Sequence, residues 1–144
     1  MENKYNRILR FFEDYIATYS EYSQDADTIS MMDKFYAPDL SFPEDRVYGR
    51  EQWYQRCLNH PDVMDKLAIE HCIIDEKKNE VSAILKTRAI DRATGTELMD
   101  LRMHALYKLR IDDDDDIIIT EVRLFLENNP EKVARLAQLY RIGM

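Results

Sequence analysis

Residues 80–111, EVSAILKTRAIDRATGTELMDLRMHALYKLRI, hold two long runs of alternating apolar and polar residues on either side of the tetrapeptide ATGT. Alternation with a period of two marks a strand with one buried face. ATGT suits a type I turn followed by a left-handed glycine bulge at Gly95, which joins the runs as an antiparallel hairpin. That turn predicts a register in which Val81, Ala83, Leu85, Thr87 and Ala89 share a face with Leu101, Met103, Ala105 and Tyr107. Lys86, Arg88, Asp100, Arg102 and His104 take the other face, with Arg88 opposite Asp100. A slip of one residue would mix the two sets, so this pairing is strongly specified.

Similar runs flank the hairpin, KLAIEHCIIDE before it and IIITEVRLFLE after it. They connect through KKN and through the aspartates Asp112–Asp116, both short enough for antiparallel turns, which predicts a four-strand meander. Pairing Leu109 with Ile118 would add Thr120, Val122, Leu124 and Leu126 to the apolar face. The aspartate run does not read as a calcium loop, which needs glycine at its sixth place and glutamate at its twelfth. Counted from Asp112, those places hold Ile117 and Arg123; counted from Asp113, Ile118 and Leu124. Aspartate tolerates turn geometry and its charge discourages edge aggregation, so a solvated hairpin tip is expected.

Helices come first and last. Ile8, Phe12, Tyr15, Ile16, Tyr19 and Tyr22 recur at spacings of three and four, predicting an amphipathic helix with Glu13 and Asp14 opposite. A second helix is expected over about 27–36, with Ile29, Met32, Phe35 and Tyr36 inward, ended by Pro38. A short strand LSF follows, then a loop through Pro43 and Gly49. A third helix, REQWYQRCLNH, stops at Pro61 and sets Trp53 and Cys57 one turn apart. Asn129 is placed to cap a last helix with Pro130 in its first turn and Val133, Leu136, Ala137 and Tyr140 as its stripe. The predicted class is α+β with segregated layers, in one domain over 1–144.

Composition excludes several roles. A formal charge of −8 and a pI near 4.9 disfavour nucleic acid and anionic membrane surfaces as partners. No apolar run reaches the ~20 residues that span a bilayer, and charges interrupt the opening segment where a secretory signal would be apolar. Two cysteines, Cys57 and Cys72, are too few for a disulfide scaffold, which predicts a reducing cytoplasm. Of the three histidines, His60, His71 and His104, no two have ligand spacing, so no metal and no cofactor is expected. His60 is read as capping helix carbonyls beside Pro61. His104 is read as facing outward beside Arg102.

The stretch FYAPDLSFPEDRVYGREQW, set in this order of elements, resembles the nuclear-transport-factor-2-like fold and especially its SnoaL-like branch. The matching pieces are Phe35–Phe42, Gly49–Glu51 and Arg123–Glu127. The resemblance implies a cone: a curved meander covered by the N-terminal helices, closed by a C-terminal helix, wrapped around a pocket. It also implies a homodimer through the outer sheet face. Ile84, Leu106 and Phe125 are apolar residues expected there. Family members include ketosteroid isomerase, polyketide cyclases, limonene epoxide hydrolase, scytalone dehydratase and binding proteins without chemistry, so fold alone does not choose a function.

Carried over residue by residue, most of the family's catalytic positions are vacant. The isomerase's strand acid falls at Ala105, ahead of Tyr107; the epoxide hydrolase's last-strand aspartate falls at Leu124, after Arg123; its other pair falls near Leu85 and Thr87. The isomerase's general base falls at Glu44, with Asp45 beside it, and Tyr15 and Tyr19 are the nearest phenols to assist. The expected pocket is lined by Phe12 of the first helix, Trp53 of the third, and the inward strand residues Leu85, Thr87, Met103, Ala105, Tyr107, Val122 and Leu124. Three functions stay open. The first is a small-molecule-binding protein with a mainly apolar pocket for an apolar or aromatic ligand. The second is an isomerase, cyclase or dehydratase of the ketosteroid isomerase-like type, needing no cofactor, with Glu44 as base. The third is an interaction module whose own side chains fill the pocket.

Overall fold

The computed structural model describes residues 2–114 and 116–141; Asp115 of the aspartate run lies outside the described residues. Helix α1 (Lys4–Tyr22) starts where the Asn3 side chain accepts the Asn6 amide at 2.8 Å. Strand β1 (Tyr36–Phe42), the short strand β2 (Val47–Tyr48) and helix α2 (Arg50–Cys57) follow. Then come β3 (Val63–Asp75), β4 (Glu80–Asp91), β5 (Glu97–Ile111) and β6 (Ile117–Leu126), and helix α3 (Pro130–Tyr140) closes the described chain. This is the expected α+β order.

Strands β3 to β6 form the predicted antiparallel meander within a six-stranded sheet ordered β2-β1-β6-β5-β4-β3. The β4–β5 register is as read, with Val81 facing Tyr107, Thr87 facing Leu101 and Arg88 facing Asp100. Gly95 has φ of 75°, the left-handed region the turn demands. At the other turn the pairing moves by one residue: Leu109 faces Ile119, not Ile118. A bulge at Thr120 restores the phase, so Tyr107 faces Val122 and Ala105 faces Leu124. Ile119 thereby enters the core fully buried and Thr120 leaves the apolar face. Further bulges fall at Glu70 in β3 and Leu98 in β5. Each bends its strand, and together they curl the sheet.

Besides β2, where a loop was expected, and an α2 that ends at Cys57, three residues before the expected His60, two elements differ from expectation. Of the expected second helix only Ile29–Lys34 is helical, and it is a 3₁₀ helix; Tyr36 already belongs to β1. Proline disfavours helical geometry in the residue before it, and here the extended chain reaches back through Ala37 to Tyr36. It pairs in parallel with β6, with Tyr36 opposite Ile119. Strand β3 also begins three residues before the expected Lys66, at Val63. Gly49 explains the start of α2: its φ of 102° is open to glycine and strained for other residues.

The half of the inner sheet face nearer the β3–β4 turn is filled. Val81, Ala83, Leu85, Ala105, Tyr107 and Val122 pack beneath Ile8, Phe12, Tyr15 and Ile16, all 4% exposed or less. Burying a large apolar side chain is worth roughly 1.5–3 kcal/mol, so this end anchors the fold. Phe12 and Tyr15 both meet Tyr107 edge-on, at centroid distances of 4.9 and 5.5 Å. The half nearer the β4–β5 turn is not filled. A smaller cluster of Val63, Ala89 and Tyr140, with Leu98, Met99, Leu136 and Leu139, holds α3 there. Among the described residues no helix is long and apolar enough to cross a membrane.

Candidate active site

Between the filled end and α3 lies a cavity of about 230 Å³. Its floor is Tyr15, Tyr19 and Tyr107; its sheet wall is Leu67, Thr87, Leu101, Met103 and Leu124; its outer wall is Val133, Leu136, Ala137 and Tyr140 of α3. Phe42 and Trp53 form one side, their rings stacked at 3.9 Å. The predicted lining residues Trp53, Thr87, Met103, Tyr107 and Leu124 are all here. Phe12, Leu85, Ala105 and Val122 are not: the three strand residues point to the correct face but lie under α1, where Phe12 packs on them in the solid core.

Asp65 is the chemically distinctive wall residue. Strand alternation puts it on the same face as Val63 and Leu67, and it sits opposite Ala89. The Tyr19 hydroxyl donates to its Oδ2 at 3.1 Å and the Tyr140 hydroxyl to its Oδ1 at 3.0 Å. The Gln24 side chain accepts from its backbone amide at 3.0 Å, fixing the strand beneath it. Burial pushes the Asp65 carboxyl above the usual carboxylate range, while Tyr140, the nearby His60 and Tyr19 pull it back. A carboxylate has about four acceptor positions, so each oxygen keeps one free after binding its phenol.

The surrounding groups complete the electrostatics. Buried His60 places Nδ1 3.0 Å from the Val63 carbonyl, which can only accept, so Nδ1 carries the proton. Its partner is thus a carbonyl of β3 and not of the preceding helix. Its ring meets Tyr140 edge-on at 4.6 Å. Burial drives the phenols of Tyr15, Tyr19, Tyr36 and Tyr107 well above their ordinary range, so each keeps its proton at neutral pH. Tyr15 and Tyr36 share a hydrogen bond of 2.8 Å. The Cys57 thiol, also on the wall, is pushed up by burial and is no activated nucleophile. Arg56, another wall residue, donates to the Asp45 carbonyl at 3.3 Å.

Glu44 occupies the 3₁₀ turn after β1, where its carboxylate pairs with Arg123 and it does not line the cavity. Asp45 beside it does line the cavity, and burial raises its carboxyl despite Arg56. The strand run KLAIEHCIIDE starts at Lys66, one residue past Asp65, so Asp65 falls outside it. Extending the alternation back through Val63, Asp65 and Leu67 would have placed an acid on the inward face. Tyr140 was read as part of an apolar stripe, and nothing local distinguishes its hydroxyl. Asp112, Asp113, Asp114 and Asp116 lie between β5 and β6, where Asp112 Oδ1 accepts the amides of Asp114 and Asp116 at 2.9 and 3.0 Å.

No family sequence profile and no curated protein sequence matches the chain. Its structure does match solved ones. BvnE pinacolase from Penicillium brevicompactum superposes with a TM-score of 0.70 at 11% identity, over 98% of this chain and 95% of that one. A SnoaL-like polyketide cyclase from Agrobacterium tumefaciens gives 0.64 at 14% identity, over 96% and 99%. The epoxide hydrolase/cyclase-like enzyme SalBIII, with a role in pyran ring formation in salinomycin, gives 0.56 at 12% identity, over 87% and 94%. The chain therefore shares the fold of these proteins, the nuclear-transport-factor-2-like fold.

Proposed function

We propose that the protein is an acid–base enzyme, an isomerase, cyclase or dehydratase, acting on a small and largely apolar ring compound. One observation carries the reading: a carboxylate, Asp65, stands on the wall of an otherwise mainly apolar and aromatic cavity, held by two phenols. Such a carboxylate can take a proton from carbon beside a carbonyl and return it elsewhere on the ring. Tyr15, protonated and sharing a hydrogen bond with Tyr36, can turn its hydroxyl toward an oxygen that gains charge. Asp65 thus takes the role that sequence reasoning gave to Glu44. Solved structures of the same fold include proteins named as a pinacolase and a polyketide cyclase, which is in keeping with an enzyme.

A second reading, a binding protein without chemistry, draws on the aliphatic residues at two of the family's catalytic positions, Ala105 and Leu124. A module filled by its own side chains fits poorly with a cavity of this size. We also infer a homodimer through the outer sheet face. His71, Ile84, His104 and Phe125 form one row across β3–β6, and Ile73 and Phe125 are 57% and 49% exposed. Two free thiols suit a cytoplasmic setting.

The test is hydrogen–deuterium exchange next to the carbonyl of 2-tetralone, a two-ring ketone, followed by NMR in heavy water. The proposal expects exchange above buffer that falls about 10²- to 10⁴-fold in Asp65→Asn, the usual worth of a positioned acid or base. Binding of 2-tetralone without added exchange would favour the binding-protein reading.

A further inference from the structure

Asp65 does not acquire its surroundings from the sheet alone. Its Oδ1 partner, Tyr140, lies in the last turn of α3, 75 residues further along the chain. That helix is pinned at both ends. Lys132 bonds Asp100 at 2.7 Å near its start, and Arg141 approaches Asp62 at 3.7 Å just past its end. Between these anchors it packs through a cluster separate from the main core. The Tyr140 ring is 6% exposed and wedged edge-on against His60, so its hydroxyl has little freedom to point elsewhere than at Asp65.

We propose that Tyr140 is a positioning residue for the acid–base site, which is complete only when α3 is docked across the cavity. The proposal rests on the acid–base reading of Asp65. Two functions meet in one helix: Val133, Leu136 and Ala137 close the cavity wall, and the phenol three residues further on orients the carboxylate and favours its charged form. The titratable groups facing Asp65 come from every side. They are Tyr19 of α1, Cys57 at the end of α2, His60 beyond it, Tyr107 of β5 and Tyr140 of α3. Of these only Tyr19 and Tyr140 bond the carboxylate directly. Tyr19 belongs to the helix of the main core. Tyr140 is the one that arrives with the cavity's outer wall.

The experiment follows the Asp65 carboxyl by ¹³C NMR of aspartate-labelled protein, assigned by its loss in Asp65→Asn. Tyr140→Phe keeps the ring and its packing on His60 but removes the hydroxyl. The expected result is an upward move of the Asp65 titration, with the acid limb of the 2-tetralone exchange profile moving by the same amount. An unchanged titration in Tyr140→Phe overturns the proposal. In the unmodified protein, the Tyr140 ring carbon bearing the hydroxyl should show a step at the Asp65 titration, which tests the contact without any variant; no step overturns it. Failure here is distinct from failure of the enzyme reading. That reading falls if Asp65→Asn exchanges 2-tetralone as fast as the parent, whatever Tyr140 does.

Discussion

The Tyr19 hydroxyl donates to Asp65 Oδ2 at 3.1 Å, joining helix α1 to strand β3 across 46 residues of sequence. The bond runs from the aromatic floor of the cavity to an aspartate on its sheet wall, so the packing of α1 helps to hold that side chain.

Asp65 should make stability depend on pH. Burial raises its pKa in the folded state above the ~3.9 of an unfolded aspartate. The folded state therefore holds this proton more tightly, and the stability it contributes is complete below about pH 4. That contribution is lost as pH rises through the folded value. In Asp65→Asn this dependence disappears, so the melting temperature of the variant relative to the parent should rise from acid to neutral pH. A constant difference across that range would contradict it.

Glu44 and Asp65 should respond oppositely to amide substitution. Glu44→Gln removes an ion pair with Arg123 in which both side chains are more than a third exposed. Exposed pairs contribute little, so the melting temperature and the 2-tetralone exchange should both stay near the parent values. Exchange lost in Glu44→Gln and kept in Asp65→Asn would return the role of base to Glu44.

The filled and open halves of the sheet should tolerate truncation differently. Leu85 is fully buried beneath α1, and Leu85→Ala should cost about 2–5 kcal/mol in urea unfolding. Met103 faces Leu85 across the β4–β5 pair but borders the cavity, so Met103→Ala leaves less new void and should cost less. Equal costs would mean that the cavity is closed in solution.

Trp53 is the chain's single tryptophan and stacks on Phe42 at the cavity's side. Its fluorescence should change saturably when 2-tetralone is added, and a flat titration would argue against entry of a ring compound. Because no other indole contributes, the signal needs no background variant.

Phe125 should govern association if the outer face is an interface. A native mass spectrum should show twice the 17.2 kDa chain mass, and Phe125→Glu should shift it to the single chain. A parent that is monomeric at micromolar concentration removes the dimer from the reading.

The faces of β4 and β5 were legible in the sequence because side-chain direction alternates along a strand whatever surrounds it. Val81 through Ala89 and Leu101 through Tyr107 point where their alternation says. The caps at Asn3 and Asn129 act through nearby amides, three residues on in each case, and the latter was read directly. Depth along the sheet was not legible. Leu85 and Thr87 share a face, yet one is core and the other borders the cavity, because α1 covers the first and leaves the second. The Thr120 bulge likewise depends on how β6 fits between β5 and β1.

By itself, then, the sequence determined the α+β order, the meander and which side chains face inward, all properties of short stretches of backbone. Only the tertiary structure decided that Asp65 borders the cavity with two phenols on its carboxylate. Its desolvation needs the whole wall, and its two phenols come from helices at opposite ends of the chain. An aspartate in a strand carries no mark of those partners, since they become its neighbours only when α1 and α3 close over the sheet.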